Sequence, residues 1–133
     1  MFYVSRCLLT DIRQVRDLHA ACQRNNEKQG LTGLLLFTGA HFAQLLEGPE
    51  ETLSQLMWRI AQDPRHTAMR KLFAKPAASR SVKQWSMRLL EARSTDAMVR
   101  KLVETDPAPL AEATDLLALM RQLSTRSQPI PAH

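Results

Sequence analysis

The sequence predicts an α+β domain: a β-sheet with two helices on one face, followed by two C-terminal helices. Two early segments carry apolar residues at three- and four-residue spacing, which is typical of amphipathic helices. Nearly continuous apolar runs lie between them, which is typical of strands buried in a sheet. The 133 residues are 44% hydrophobic and 23% charged. This composition fits one compact domain and excludes a collagen-like, coiled-coil or wholly disordered chain.

The first two predicted elements are a short strand and a long helix. Met1–Ser5 contains the β-favouring residues Phe, Tyr and Val, so it predicts a truncated first strand. Thr10 is the predicted N-cap of the helix, which should end near Gly30 because glycine readily adopts the left-handed conformation that closes helices. The apolar stripe of this helix comprises Ile12, Val15, Leu18, His19 and Cys22.

Two neighbouring apolar runs predict a hairpin at the centre of the sheet. Leu31–Phe37 and His41–Glu47 flank the turn signal Thr38-Gly39-Ala40. Neither run alternates cleanly between apolar and polar residues. One face of the sheet should therefore lie under helices, and the other should be partly covered.

The remaining segments predict a second helix, two strands and two C-terminal helices. The second helix opens at Gly48-Pro49, with acidic residues in its first turn, and ends at Asp63-Pro64. Strands are predicted at 69–75 and 84–90, and the last two helices at 95–104 and 109–123. The order β-α-β-β-α-β-β resembles the ferredoxin-like split βαβ arrangement.

Charge and cysteine content narrow the function classes. The 18 basic and 13 acidic residues give a net charge of +5, and the basic residues are scattered as on a solvated surface rather than a nucleic-acid-binding stripe. Cys7 and Cys22 have neither zinc-finger nor disulfide-framework spacing, so no metal site is predicted. No apolar run is long enough for a membrane span or a signal peptide, which predicts a cytoplasmic protein.

Amides and the single tyrosine are the first candidate functional groups. Asn25 and Asn26 lie near the end of the first helix, where they could be simple caps or could recognise a planar heterocycle through their donors and acceptors. Gln44 lies in an otherwise apolar strand, where a buried amide without partners costs about 1–3 kcal/mol. Either the neighbouring backbone or a ligand could satisfy it. Tyr3 is either a packing residue or a hydrogen-bonding and redox partner.

Five further residues are candidates for which a structural role is the simpler interpretation. Asp63, Arg65 and His66 closely follow the second helix, and a solvated turn is the simpler interpretation. Trp85 and Met87 point to the same side of the last predicted strand, which is typical of a core position.

The chain contains none of the common catalytic motifs. Ser/His/Asp, HExxH, P-loop and GxGxxG patterns are absent. Cys22 lies one helical turn from His19, but no acidic residue nearby in sequence could orient that pair. A packed thiol is therefore favoured over a nucleophile, and no enzymatic activity is predicted.

Taken together, these segments resemble the BLUF domain, a flavin-binding blue-light sensor, from Tyr3 to about Leu90. Both the order and the spacing of the blocks agree with the family. The matching blocks are Tyr3-Val4-Ser5-Arg6, Asn25-Asn26, Gly30-Leu31-Thr32-Gly33-Leu34-Leu35, Phe42-Ala43-Gln44-Leu45-Leu46-Glu47-Gly48, Arg59-Ile60, Asp63, Arg65-His66 and Trp85-Ser86-Met87.

The resemblance implies a non-covalently bound flavin, FAD or alternatively FMN or riboflavin, between the two helices and over the sheet. Asn26 and Gln44 would hold the polar edge of its ring. Further contacts would come from Asn25, Asp63, Arg65, His66 and Cys22. The resemblance also implies light-driven electron and proton transfer from Tyr3 through Gln44. A rearranged Gln44 amide, which reddens the flavin absorption, would then persist, with Trp85 and Met87 in the photoactive set.

The resemblance also implies a domain organisation and a mode of output. Residues 1–93 would form the flavin-binding photosensor domain, 94–124 a C-terminal helical extension and 125–133 a loose tail. No catalytic domain follows Arg93, so a short stand-alone member that signals to a partner protein is expected, as a homo-oligomer and without membrane or nucleic acid. The apolar faces of the last two helices should close the sheet face opposite the flavin or contact a second subunit.

Two other function classes stay open on the residues alone. An acylphosphatase-like hydrolase could use Arg6 with Asn25 or Asn26 to stabilise a phosphoryl group. An RNA-binding ferredoxin-like module would need exposed aromatic residues, for which the central strands offer only Phe37 and Phe42. The colour of the purified protein separates these classes, because only the sensor is yellow.

Overall fold

Five strands and four α-helices form the part of the chain that the computed structural model describes, residues 1–73 and 87–126. The strands are β1 (Phe2–Cys7), β2 (Thr32–Phe37), β3 (His41–Glu47), β4 (His66–Phe73) and β5 (Arg88–Glu91). The helices are α1 (Ile12–Gln29), α2 (Glu50–Ala61), α3 (Asp96–Glu104) and α4 (Leu110–Arg126), with a short 3-10 helix at Arg93–Thr95.

The strands form one mixed sheet in the order β4-β1-β3-β2-β5. The pairs β1–β3, β1–β4 and β2–β3 are antiparallel, and β5 adds to the edge of β2 in parallel. The first four strands therefore have the ferredoxin-like arrangement that the sequence predicts. β3 lies at the centre, as expected for the predicted hairpin.

The ends of α1 are set by local hydrogen bonds. The N-cap is Asp11 rather than the predicted Thr10, because the Asp11 carboxylate accepts a hydrogen bond from the Arg13 amide at 2.8 Å. The Gln14 side chain accepts one from the Asp11 amide in return, which completes a capping box. The helix ends at Gly30, as predicted, in the left-handed conformation with φ of 69°.

Several strand and helix boundaries differ from the prediction, including the end of β5, which lies at Glu91 rather than residue 90. β1 continues to Cys7 because both neighbouring strands pair with it beyond Ser5. β4 begins at His66 rather than residue 69. A bulge at Ala68, where φ is 54°, interrupts the alternation of the strand, so the sequence pattern did not indicate its first three residues. α4 includes residues 125 and 126 of the predicted tail, and residues 74–86 and 127–133 lie outside the described residues.

Both faces of the sheet are covered, each by a separate apolar cluster. Successive residues of a strand point to opposite faces, so Leu35 packs on the side of α1 and α2 while Leu34 and Leu36 pack on the side of α3 and α4. The C-terminal helices bury Val99, Leu102, Val103, Ala113, Leu116 and Met120. They close the second sheet face, as expected.

Polar contacts fix α3 near both ends. At its start, the Asp96 carboxylate accepts a hydrogen bond from the Thr38 hydroxyl at 2.6 Å and contacts His41 Nδ1 at 2.8 Å. At its end, the Arg70 guanidinium donates to the Val103 carbonyl at 3.1 and 3.2 Å. α3 is therefore attached both to the β2–β3 turn and to β4.

The packing of α4 predicts unequal effects of two leucine substitutions. Leu116→Ala should lower the free energy of unfolding by about 2–5 kcal/mol, because it leaves a cavity under the sheet. Leu110→Ala is the control, since that side chain is 64% exposed, and should change it by less than about 0.5 kcal/mol. Urea unfolding followed by circular dichroism measures both. Equally small effects would mean that α4 does not pack on the sheet.

Candidate functional site

A cavity of about 210 Å³ opens between one face of the sheet and the helices α1 and α2. Its lining combines apolar, amide and charged side chains. The lining residues are Tyr3, Leu18, Ala21, Cys22, Asn25, Asn26, Leu35, Phe42, Gln44, Leu56, Arg59, Ile60, Asp63, Arg65 and His66. Eight of the ten residues predicted for the site are among them.

The two asparagines lie on the cavity side of α1. Leu18, Cys22, Asn25 and Asn26 recur at the spacing of one helix face, so the helix itself places them along the same wall. The end of the helix is closed by backbone groups, since the Asn26 carbonyl accepts hydrogen bonds from the amides that follow it. A capping role of the asparagine side chains is therefore not needed to end the helix.

A buried hydrogen-bond chain crosses the floor of the cavity. Tyr3 and Gln44 are direct partners in the antiparallel register of β1 and β3, and each is at most 4% exposed. The Tyr3 hydroxyl donates a hydrogen bond to Gln44 Oε1. Gln44 Nε2 in turn donates to Met87 Sδ at 3.7 Å. Both ends of the amide are thus engaged, and the chain runs from β1 to the residue before β5.

Of the two predicted photoactive residues near β5, only Met87 is among the described residues. Met87 is buried but does not line the cavity, and it reaches the site only through Gln44. Its carbonyl lies 2.7 Å from His19 Nε2, which ties the start of β5 to α1. Trp85 lies outside the described residues.

Burial keeps two groups of the cavity neutral. It raises the pKa of Tyr3 far above its usual range, and the nearby Cys22 and Asp63 raise it further. Burial also raises the pKa of the Cys22 thiol. The phenol is therefore a permanent hydrogen-bond donor, and the thiol is protonated rather than reactive.

The segment that follows α2 is a partly exposed turn whose polar side chains are hydrogen-bonded and line the cavity. The Arg65 guanidinium donates three hydrogen bonds to the Asp63 carboxylate, at 2.6, 2.9 and 3.2 Å, and this interaction lowers the pKa of the carboxyl group. His66 contacts the Ser5 hydroxyl at 2.8 Å and the Ile60 carbonyl at 2.6 Å. The contact between His66 and Ser5, which are far apart in the chain, fixes His66 against β1, and local sequence could not reveal it.

Two kinds of lining residue were not assigned to the site from the sequence. The apolar walls could have been found from the helix stripes, because Leu18, Leu56 and Ile60 all lie on faces turned to the sheet. Arg59 belongs to one of the blocks that resemble the BLUF family, but it was given no role. Its place in the cavity distinguishes it from exposed arginines such as Arg24.

The structure does not bring together the residues that an acylphosphatase-like hydrolase or an RNA-binding module would need. Arg6 forms an ion pair with Glu104 at 3.9 Å and does not line the cavity with the asparagines, as a phosphoryl-binding arginine would have to. Phe42 is buried against Phe37, with ring centroids 5.6 Å apart, so the central strands present no stacking platform for RNA.

Residues 1–73 and 87–126 contain neither a metal-ligand cluster nor a membrane-spanning helix. No group of three or more His, Cys, Asp or Glu side chains is placed to hold a metal ion there. The helices in these ranges do not combine the length and the apolar character needed to cross a membrane.

Comparison with known proteins decides the family. The model of a family described as BLUF, sensors of blue-light using FAD, matches residues 1–88. The chain belongs to the BLUF family. It is therefore a flavin-binding blue-light sensor domain, and FAD is the cofactor that the family uses.

Longer proteins contain segments that are similar to this BLUF sequence. The blue light- and temperature-regulated antirepressor BluF of Escherichia coli K12 is 37% identical over 82 residues, which cover 62% of this chain and 20% of that protein. The photoactivated adenylate cyclase subunit beta of Euglena gracilis is 42% identical over 57 residues, 43% of this chain and 7% of that protein. The chain thus spans a fifth or less of the length of these curated relatives.

Solved BLUF structures share the fold over nearly the whole chain. The dark-state structure of BlrB superposes with a TM-score of 0.75 at 29% identity and covers 91% of this chain and 92% of that one. A manganese and cyclic diGMP complex of BlrP1 from Klebsiella pneumoniae has a TM-score of 0.68 at 27% identity, covering 98% of this chain and 34% of that one. Another BlrP1 structure contains FMN.

The cavity of this BLUF domain fits a flavin ring. Its apolar walls suit a flat aromatic ring, and amides at its buried end suit the alternating carbonyl and N–H groups of the ring edge. The apolar wall residues are Leu18, Leu35, Phe42, Leu56 and Ile60. Asn25, Asn26 and Gln44 are the amides that would hold the ring edge.

The raised pKa of Tyr3 predicts a loss of stability in alkali. An unfolded tyrosine ionises near pH 10, but the folded protein keeps Tyr3 neutral, so its contribution is intact below about pH 10 and falls as the pH rises above it. Denaturant unfolding at several pH values should show a smaller fall for Tyr3→Phe than for the wild type, because the Cys22 thiol, whose pKa is also raised, contributes to the fall in both proteins. Because Tyr3 is the only tyrosine, phenolate absorbance should appear only as the protein unfolds. Phenolate formation in the folded protein near pH 10 would contradict the prediction.

Proposed function

We propose that this BLUF domain converts blue-light absorption into a rearrangement of the Gln44 amide and passes it through the C-terminal helices to a partner protein. The observation that carries the proposal is the buried hydrogen-bond chain from Tyr3 through Gln44 to Met87 on the floor of the cavity. When bound, the flavin supplies the absorption of blue light and an excited state that accepts an electron.

The site holds a neutral ring edge with neutral groups. Asn25, Asn26 and Gln44 offer amides from two elements that meet at the cavity. Asp63 and Arg65 neutralise each other at the same wall, so neither places an unbalanced charge against the ring. The protonated Cys22 thiol fills space without nucleophilic character, which favours non-covalent binding over a cysteine adduct.

Tyr3 is the electron and proton donor of the proposed photoreaction. Its phenol is kept protonated by burial, and its hydroxyl already donates to Gln44 Oε1. A proton that leaves the Tyr3 oxygen therefore has a direct acceptor. Gln44 is the only side chain to which the Tyr3 hydroxyl donates within the described residues.

Gln44 is the switch. The two ends of its amide are nearly equal in size and opposite in hydrogen-bonding character. In the described conformation Oε1 faces Tyr3 and Nε2 faces Met87. An exchange of the two ends would change the hydrogen bonds to every neighbour of the amide with almost no change in volume, so the tightly packed sheet can accommodate it.

A short route leads from this switch to the C-terminal helices. Ala43 and Leu45 flank Gln44 on β3 and pack in the cluster that contains α3 and α4. His41 begins the same strand and contacts Asp96 at the start of α3. A change of the strand at Gln44 therefore acts directly on residues that hold α3.

The organisation of the protein follows from this route. Residues 1–93 act as the photosensor domain and 94–126 as the helical output extension, because α4 continues to Arg126. The protein itself is not an enzyme but a cytoplasmic sensor that signals to an effector as a homo-oligomer. The antirepressor and cyclase relatives support signalling to an effector, because they carry BLUF sequence within much longer proteins.

Illumination of the purified protein tests the photochemistry. Blue light should produce a reversible red-shifted flavin spectrum. Tyr3→Phe and Gln44→Leu should keep flavin bound but lose the normal shifted state, because the cavity keeps its shape without the donor or the switch. Asn26→Ala should instead weaken flavin binding roughly tenfold, as expected for the loss of one polar contact. Absorption spectra in darkness and light measure these effects.

Two results would contradict this mechanism. Persistent bleaching without a shifted band would indicate an adduct instead of a rearranged amide. A Tyr3→Phe variant that cycles like the wild type would show that Tyr3 is not the donor.

Hydrogen exchange tests the output route. Light should alter the protection of residues 95–123 or the association state, whereas α1 should change little, because the route runs through β3 to α3. Gln44→Leu under the same illumination is the control and should show neither change. Unchanged protection in the wild type, together with an unchanged oligomer, would remove the C-terminal helices from the signalling path.

A further inference from the structure

One arginine of the flavin cavity has no role in the photochemistry described above. Arg59 lies in the last turn of α2 and lines the cavity together with Leu56 and Ile60. Leu56 precedes it by three residues, so the two side chains lie on neighbouring positions of the same helix face. Unlike Leu56, Arg59 is exposed, which places it where the cavity meets solvent.

The other charged groups of the cavity are already paired. Asp63 and Arg65 form a hydrogen-bonded ion pair. Both ring nitrogens of His66 have hydrogen-bond partners. Arg59 makes no side-chain hydrogen bond or ion pair with any residue in the ranges 1–73 and 87–126. Within these ranges, Arg59 is therefore the charged residue of the cavity that lacks a compensating partner.

The cavity has one buried end and one end that is exposed to solvent. Tyr3, Gln44 and Asn26 are each at most 4% exposed, so the buried end consists of neutral hydrogen-bonding groups. The opposite end is exposed and contains Arg59 and the half-exposed Arg65. A flavin whose ring edge meets the amides must direct its ribityl side chain to the exposed end, since a phosphate group cannot be buried without a charged partner.

We propose that Arg59 binds the phosphate of the flavin side chain and thereby selects FMN and FAD over riboflavin. The inference rests on the flavin binding described above and assigns the part of the ligand that lies outside the photochemistry. A guanidinium matches phosphate oxygens with two parallel hydrogen bonds, which makes arginine the appropriate side chain. Because Arg59 is exposed, this contribution is sensitive to salt.

The test compares the affinities of three flavins. The bound flavin is exchanged by dialysis for riboflavin, FMN or FAD, and the fluorescence released on dilution in the dark gives each dissociation constant. The wild type should bind FMN and FAD about tenfold more tightly than riboflavin, as expected for one charge-assisted contact, and added salt should reduce this ratio. Arg59→Gln should bring the ratio close to one and leave the riboflavin affinity unchanged.

Two variants separate this role from other effects of charge. Arg24→Gln removes the same charge from an exposed position of α1 that does not line the cavity, and it should keep the wild-type ratio. Arg59→Lys keeps the charge but loses the paired hydrogen bonds, so it should retain part of the preference.

Each outcome has a distinct meaning. The same ratio in Arg59→Gln and the wild type would overturn the role of Arg59 while flavin binding stands. A loss of riboflavin affinity with an unchanged ratio would also overturn it, because Arg59 would then contact the ring. If the protein binds none of the three flavins, both this inference and the proposed function fail.

Discussion

The hydrogen bond between Tyr3 and Gln44 is the constraint on which the site depends. Two polar side chains are buried in an apolar sheet face, and each would cost about 1–3 kcal/mol if left without a partner. The antiparallel register of β1 and β3 places them opposite each other. A shift of that register by one residue would turn one of them toward the C-terminal helices, so the packing of the sheet and the chemistry of the cavity require the same pairing.

The strand alternation of β3 joins the two layers of the protein. Phe42 and Gln44 face the cavity, whereas Ala43 and Leu45 pack against the cluster of the C-terminal helices. The central strand is therefore shared by the light-sensing layer and the proposed output layer. The contact between His41 and Asp96 adds a polar link at the start of that strand. The cavity floor and the C-terminal helices therefore belong to one packed unit, so the proposed change at the Gln44 amide has a direct path to a helix on the other face.

The electrostatics of the cavity divide it into two parts. At the buried end, burial keeps the Tyr3 phenol and the Cys22 thiol protonated, and the amides are neutral by nature. At the exposed end, Asp63 compensates the charge of Arg65, whereas Arg59 has no such partner in the part of the chain that the structure describes. A neutral ring at the buried end and a charged phosphate at the exposed end would each meet a matching environment. The division follows from solvent exposure, because ionised groups without partners are tolerated only near water.

The sequence by itself determined the element order, the α1 stop at Gly30 and the family. These features depend on local spacing, on the conformational preference of single residues and on motif blocks in a fixed order. Tertiary structure decided the pairing of Tyr3 with Gln44, the ordered cluster around His66 and the position of Arg59 at the cavity. Each of these depends on contacts between residues far apart in the chain, such as His66 with Ser5, and local patterns carry no information about which distant groups will meet.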